Sequence, residues 1–202
     1  MNVDVLCTKN QEFEAMFSAQ PTSLPGVVLI QTPVYRDTRG HFLEIWKLHK
    51  YSEVGIPDRF VQDNVSFSTH GVVRGLHYQI PKPQGKLVCP LQGTIFDVIV
   101  DVRVGSPTFG LSEAFTLESA RGHQLYVPEG FAHGFSVIGE EAIVLYKCTH
   151  EYDPSGEACI AWNDPDLGVN WPVGLTNASD KDRLAPRLSS VPSDKLPRWT
   201  NS

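Results

Sequence analysis

The chain has 202 residues, 41% of them hydrophobic and 20% charged, enough for one globular domain with a real core and without need of a second. Its formal charge of -6 argues against general nucleic-acid binding, although a small anionic ligand needs only a local basic cluster. No stretch approaches the ~18 apolar residues of a membrane span, and the first twenty residues lack the apolar run of a signal peptide, so a cytoplasmic protein is expected.

Fifteen prolines and sixteen glycines break the chain into strand-length runs, which reads as mostly β. After a short helix between Gln11 and Ser18, strands are expected over Val27–Gln31, Phe42–Trp46, Gly85–Pro90, Thr94–Val102, Glu113–Leu117, Gln124–Val127, Phe135–Ile138 and Ala142–Thr149. That pattern is a barrel or sandwich. Cys7, Cys89, Cys148 and Cys159 form no CxxC pair, so buried free thiols are expected rather than a zinc ribbon or redox site.

The stretch from Phe60 to Gln79 is the most informative. Gln62, Asn64, Ser66 and Ser68 occupy every second position, with Val65 and Phe67 between them, which is the period of a strand with one polar face. Such a face is solvated on a sandwich but lines a ligand cavity in a small barrel, and alternation alone does not choose. In the next run, Val72 to Tyr78, strict alternation puts Arg74 and His77 on opposite faces. Gly75 lies between them, and a glycine inside a strand often marks a bulge, so an irregularity that turns both side chains into one pocket is expected. Asp97 and Asp101 share a strand face and are read as structural, satisfied by the cavity or by Arg103.

Several segments in order carry a family resemblance: YRDTRGHFLE (35–44), FVQDNVSFSTHGVVRGLHYQ (60–79), QGKLV (84–88), GTIFDVIVDVRVGSPTFG (93–110), LYVPEGFAHGF (125–135), LYKCTHEYDP (145–154), NDPDLGVNW (163–171) and SDKDRLAP (179–186). The chain resembles the dTDP-4-dehydrorhamnose 3,5-epimerase family of cupin-type nucleotide-sugar enzymes. The resemblance covers residues 25 to 190, leaving 1–24 as an N-terminal extension and 191–202 as a C-terminal tail, both expected to be peripheral. It implies an all-β, jelly-roll β-barrel with short peripheral helices, a homodimer, a nucleotide-diphosphate 4-keto-6-deoxyhexose as substrate, and inversion beside the ketone without a cofactor.

Metal-binding cupins offer an HxH pair, a glutamate and a distant histidine. Here His77 is followed by Gln79, Gln84 stands near the glutamate position, and His133 is the distant histidine. Two imidazoles and two amides suit zinc or iron poorly, so a metal-free site is expected. A hydrogen on carbon beside a ketone is acidic because its loss leaves an enolate, and inverting that carbon takes a base, an oxyanion partner and an acid on the opposite face. The expected catalytic set is His77 as base, Asp182 orienting it, Lys86 facing the oxyanion and Tyr146 returning the proton, with the resemblance supplying Asp182. Arg74 and His133 are expected to hold the diphosphate, with Arg39 contributed by a neighbouring subunit as the resemblance implies. Gln62 and Asn64 serve as polar neighbours, and Phe42 and Glu44 address the nucleoside base. Three alternatives stay open: an enzyme that inverts only C3 or takes another nucleotide, a metal-dependent cupin oxygenase or isomerase, and a sugar-nucleotide binding module without turnover.

Overall fold

The computed structural model describes residues 16–57, 59–172, 174 and 177–200. The chain opens with β1 (Ser18–Pro21) and β2 (Val28–Gln31), then a hairpin of β3 (Val34–Asp37) and β4 (Gly40–Leu43), and a short helix α1 (Leu48–Ser52). Next come β5 (Gln62–Thr69), β6 (Val72–Gln79), β7 (Lys86–Gln92), β8 (Thr94–Asp101) and β9 (Ser112–Glu118). After β10 (His123–Val127), β11 (Phe131–Val137) and β12 (Glu141–Cys148) follow the short strands β13 (Glu157–Cys159) and β14 (Asn177–Ala178) and the four-residue helix α2 (Asp180–Arg183).

Twelve of these strands form two six-stranded sheets, and β3 and β4 pair separately. One runs β1-β2-β10-β7-β12-β5; the other runs β13-β6-β11-β8-β9, with β14 also paired to β6. The sheets face each other as a jelly roll, and Val88, Leu125 and Val144 of the first pack with Ile95, Ile99, Phe131 and Phe135 of the second. Both outer faces are covered as well. Tyr51 and Trp46 close over Ile30 and Leu87, while Ile160, Leu167, Leu188 and Leu196 close over Val98, Val100 and Ala132. That double cover explains why β8 reads IFDVIVD, almost apolar throughout, instead of alternating cleanly.

The expected strands are present with shifted ends, and four that lack a readable period are additional: β1, β3, β13 and β14, of two to four residues. Phe42–Trp46 differs most, because β4 ends at Leu43 and Glu44 leaves the strand to pair with Lys50 at 2.8 Å. Most of the expected helix at Gln11–Ser18 lies outside the described residues, and Ser18 itself begins β1, which adds an edge strand to the first sheet. The C-terminal tail is bound to the barrel. The amide of Val104 donates to the Pro197 carbonyl at 2.8 Å, that of Trp199 donates to the Val104 carbonyl at 3.0 Å, and the Arg103 guanidinium lies between the rings of Phe131 and Trp199. Arg103 also pairs with buried Asp101 at 2.7 Å, the structural role read from the sequence.

Candidate active site

The polar face of β5 turns inward. Ser68 is buried and Ser66 half-buried, whereas Val65 and Phe67 are 63% and 55% exposed on the outer side. Between the two reading options for that strand, cavity lining wins.

On β6 the expected bulge is present. His133 of β11 pairs with His77 and Phe135 pairs with Arg74, so two β6 residues, Gly75 and Leu76, face only Gly134. Both glycines are required by the close approach. A Cβ on Gly134 would lie 2.5 Å from the Arg74 carbonyl oxygen, and one on Gly75, whose φ is +125°, would lie 2.5 Å from the Gly134 Cα. The extra residue brings Arg74 and His77 to the same side, and both line one cavity.

That cavity, of about 240 Å³, is walled by both sheets. Arg74 and His77 of β6 and His133 of β11 belong to one sheet; Asn64 and Ser66 of β5, Lys86 of β7 and Tyr146 of β12 belong to the other. His77 and Tyr146 therefore stand on opposing walls.

Behind His77, Nε2 meets Asp182 Oδ1 at 2.6 Å. Asp182 is the third residue of α2, where its amide donates to the Ser179 hydroxyl that caps the helix, so one residue serves both as a helix-start carboxylate and as the partner of the imidazole. Burial works against its charge, but hydrogen bonding and attraction from His77, with smaller help from Ser179 and the Gly75 amide, hold the carboxyl below the ordinary aspartate value. A carboxylate only accepts, so His77 carries its hydrogen on Nε2 and keeps the Nδ1 lone pair free.

A second pair lies beside the first. His133 Nε2 meets Asp97 Oδ2 at 2.9 Å, with both side chains almost wholly buried. Asp97 thus serves His133, a partnership the sequence reading left unassigned. Its other oxygen, Oδ1, has no hydrogen-bond partner among the described residues.

The Lys86 ammonium has neither a hydrogen-bond nor an ion-pair partner among the described residues. Burial pulls its ammonium below the ordinary lysine value, opposed by attraction to Cys148, Asp97 and Glu157. Burial likewise raises the Tyr146 phenol well above 10, opposed chiefly by the hydrogen bond with Ser66 at 2.9 Å.

At the positions where metal cupins carry ligands, the amides are already used. Gln79 donates to the Lys82 and Glu151 carbonyls and accepts from the Asp153 amide, and Gln84 donates to the His150 carbonyl. Among the described residues no three His, Cys, Asp or Glu side chains are grouped to hold a metal ion.

Of the expected site residues, His77, Lys86, Tyr146, Arg74, His133 and Asn64 line the cavity, with Asp182 directly behind. Gln62 does not line it but holds its rim, accepting from the Tyr152 amide at 2.7 Å. Arg39 and Phe42 lie apart on the β3–β4 hairpin, where Arg39 pairs with Asp37 and Phe42 is 68% exposed, and Glu44 is held by Lys50. None of these three lines the cavity of its own chain. The sequence reading missed Tyr152 and Glu157, which line the rim and bond to each other at 2.9 Å, and Lys181, which pairs with Glu157 at 2.6 Å. The only sequence signal for Tyr152 was its place in the LYKCTHEYDP segment.

Comparison with known proteins places this geometry. Residues 21–190 match the family model described as dTDP-4-dehydrorhamnose 3,5-epimerase. The enzyme of that name from Methanothermobacter thermautotrophicus is 46% identical over 172 residues, covering 84% of this chain and 93% of its own length. A crystal structure of dTDP-6-deoxy-D-glucose-3,5-epimerase from Legionella pneumophila, in complex with dTDP-4-keto-L-rhamnose, superposes with a TM-score of 0.88 at 43% identity, covering 92% of this chain and all of the other. A 3'-monoepimerase from Streptomyces bikiniensis, in complex with dTDP-quinovose, superposes with a TM-score of 0.81 at 33% identity over 88% of this chain and 92% of its own. Matched along most of its length in sequence and in fold, this chain belongs to the dTDP-4-dehydrorhamnose 3,5-epimerase family of isomerases.

Proposed function

We propose that the protein epimerises a dTDP-linked 4-keto-6-deoxyhexose at C3 and C5, converting dTDP-4-keto-6-deoxyglucose to dTDP-4-keto-rhamnose, with no metal and no cofactor. One observation carries the reading: a histidine backed by a carboxylate on one sheet faces a tyrosine on the other sheet across a single cavity. Inversion needs that opposition, because the proton must leave one face of the carbon and return to the other.

In this reading His77 Nδ1 removes the hydrogen on carbon beside the ketone, and Asp182 stabilises the imidazolium that results. The electrons of the broken C–H bond move onto the ketone oxygen, where Lys86 supplies a point charge that no other group neutralises at contact. Tyr146 then gives its phenolic proton to the carbon from the opposite wall. The enolate needs no electron sink beyond the ketone itself, and imidazoles flanked by committed amides are a poor metal site. Exposed Arg74 and buried His133, both in the cavity wall, meet the diphosphate, and the partly exposed Tyr152 ring offers a stacking surface for the base.

The projecting hairpin fits a homodimer. Arg39 and Phe42 are presented away from their own cavity, so in this reading they reach the nucleotide of a second copy, a soluble cytoplasmic dimer being the form expected from the sequence. Among the described residues no helix is long and apolar enough to cross a membrane.

Product analysis by NMR tests the reading and its nearest rival together. Deuterium from solvent at both C3 and C5 with a rhamno-configured product supports double inversion; label and inversion at C3 alone assign the chain to monoepimerases, and ligand binding without label would leave only a binding module.

A further inference from the structure

The four alternating polar side chains of β5, Gln62, Asn64, Ser66 and Ser68, each hold a different group at or around the cavity. Gln62 accepts from the Tyr152 amide, Asn64 donates to Cys148 Sγ at 3.8 Å, Ser66 bonds the Tyr146 phenol at 2.9 Å, and Ser68 accepts from Arg74 Nε at 2.9 Å. Ser66 differs from the others in that its partner is the group assigned to proton return.

The bond is not needed to hold the strands together. β5 and β12 are already paired without interruption from Gln62–Cys148 to Thr69–Glu141. Within that register Ser66 stands opposite Val144, and Tyr146 opposite Asn64, so the two hydroxyls meet diagonally on the cavity side. Among the described residues each is the other's only side-chain hydrogen-bond partner.

A phenol carries one hydrogen and rotates about its C–O bond. If that hydrogen points at Ser66 it is unavailable to carbon; if Ser66 donates instead, the phenolic hydrogen is left facing the cavity. We propose that Ser66 is a positioning residue for the protonation step, donating its hydrogen to the Tyr146 oxygen so that the phenolic hydrogen is presented to the substrate carbon. The proposal rests on Tyr146 being the acid. In the step itself the Tyr146 O–H bond breaks, a C–H bond forms with the enolate's electron pair, and the phenolate oxygen keeps the hydrogen bond from Ser66, whose own O–H bond stays intact. Burial makes that phenolate costly, and the serine hydroxyl is the first influence that opposes it.

The test is a set of steady-state measurements with dTDP-4-keto-6-deoxyglucose on Ser66→Ala, Ser66→Thr, Tyr146→Phe and the double variant Ser66→Ala/Tyr146→Phe. Ser66→Ala is expected to lower kcat about tenfold with KM within about twofold, as loss of one hydrogen bond made to the developing phenolate. Ser66→Thr, which keeps the hydroxyl, is expected to restore most of the rate. In the Tyr146→Phe background Ser66→Ala is expected to add nothing, because its partner is gone. Wild-type kcat in Ser66→Ala overturns the proposal, as does a loss that persists undiminished beside Tyr146→Phe. The two levels separate cleanly: normal turnover by Tyr146→Phe removes the acid assignment and Ser66 with it, whereas a slow Tyr146→Phe beside a normal Ser66→Ala removes only Ser66. Should Ser66→Ala fail to fold, Ser66→Cys carries the same expectation with nearly conserved volume.

Discussion

His133 lies directly across the β6/β11 pairing from His77, and each imidazole spends its Nε2 on a carboxylate behind it, Asp97 in one case and Asp182 in the other. The two carboxylates are supported unequally. Asp182 also receives the Gly75 amide at 3.5 Å, whereas Asp97 is fully buried and has an unpartnered Oδ1. Removing His133 therefore strands a buried charge, which costs about 3–5 kcal/mol. His133→Ala is expected to lower Tm by roughly 6–20 °C, and His77→Ala by clearly less, in thermal melts followed by circular dichroism.

His77→Ala is expected to abolish proton exchange, on the order of 10³-fold or more, while nucleotide binding measured by calorimetry stays largely intact. Asp182→Asn keeps the ring but removes its anionic support, so the loss in kcat is expected to be on the order of 10–100-fold smaller than for His77→Ala. Arg74→Ala, in the cavity wall, is expected to weaken binding as well. Normal turnover by His77→Ala would show that the base has been misassigned.

Lys86 sets stability against activity. Its folded-state pKa is below the ordinary 10.5, so the folded chain binds this proton less tightly than the unfolded chain. Burying the charged form therefore costs stability at neutral pH, and that cost disappears only as pH rises past 10.5. Lys86→Met is expected to raise Tm at pH 7 and to lower kcat by about 10²–10³-fold, the scale of losing one oxyanion partner. In the wild type the alkaline limb of kcat is expected below 10.5, read from a pH–rate profile.

Gly134 and Gly75 let β6 and β11 touch at the bulge. Gly134→Ala places a methyl 2.5 Å from the Arg74 carbonyl oxygen, so the strands must separate where His77 and Arg74 are aimed. A loss of about 1–3 kcal/mol and a fall in kcat larger than this instability explains are expected, checked by denaturant unfolding beside kinetics at a temperature where the variant is folded.

The same bulge shows what local sequence carries. A glycine between Arg74 and His77 announced an irregular strand, and the alternation of Gln62, Asn64, Ser66 and Ser68 announced a polar face, because both features are contained within one strand. Asp97 was read as structural, satisfied by the cavity or by Arg103, but its partner stayed unnamed because His133 is 36 residues away and reaches it only through the β8/β11 pairing. Asp182 lies 105 residues from His77 on a helix of four residues, too short to show a period, and only the family resemblance pointed to it. Glu44 was placed on a strand that stops one residue earlier, since the Lys50 pairing that draws it away belongs to α1.

The central claim is that an imidazole without a metal lifts hydrogen from carbon beside a carbonyl. The most direct measurement is incubation of chelator-treated protein with dTDP-4-keto-6-deoxyglucose in deuterium oxide, followed by mass spectrometry and NMR. Incorporation of two deuterons, at C3 and C5, at the rate of untreated protein is the predicted result; an unlabelled sugar, or exchange that returns only when metal is restored, would contradict it.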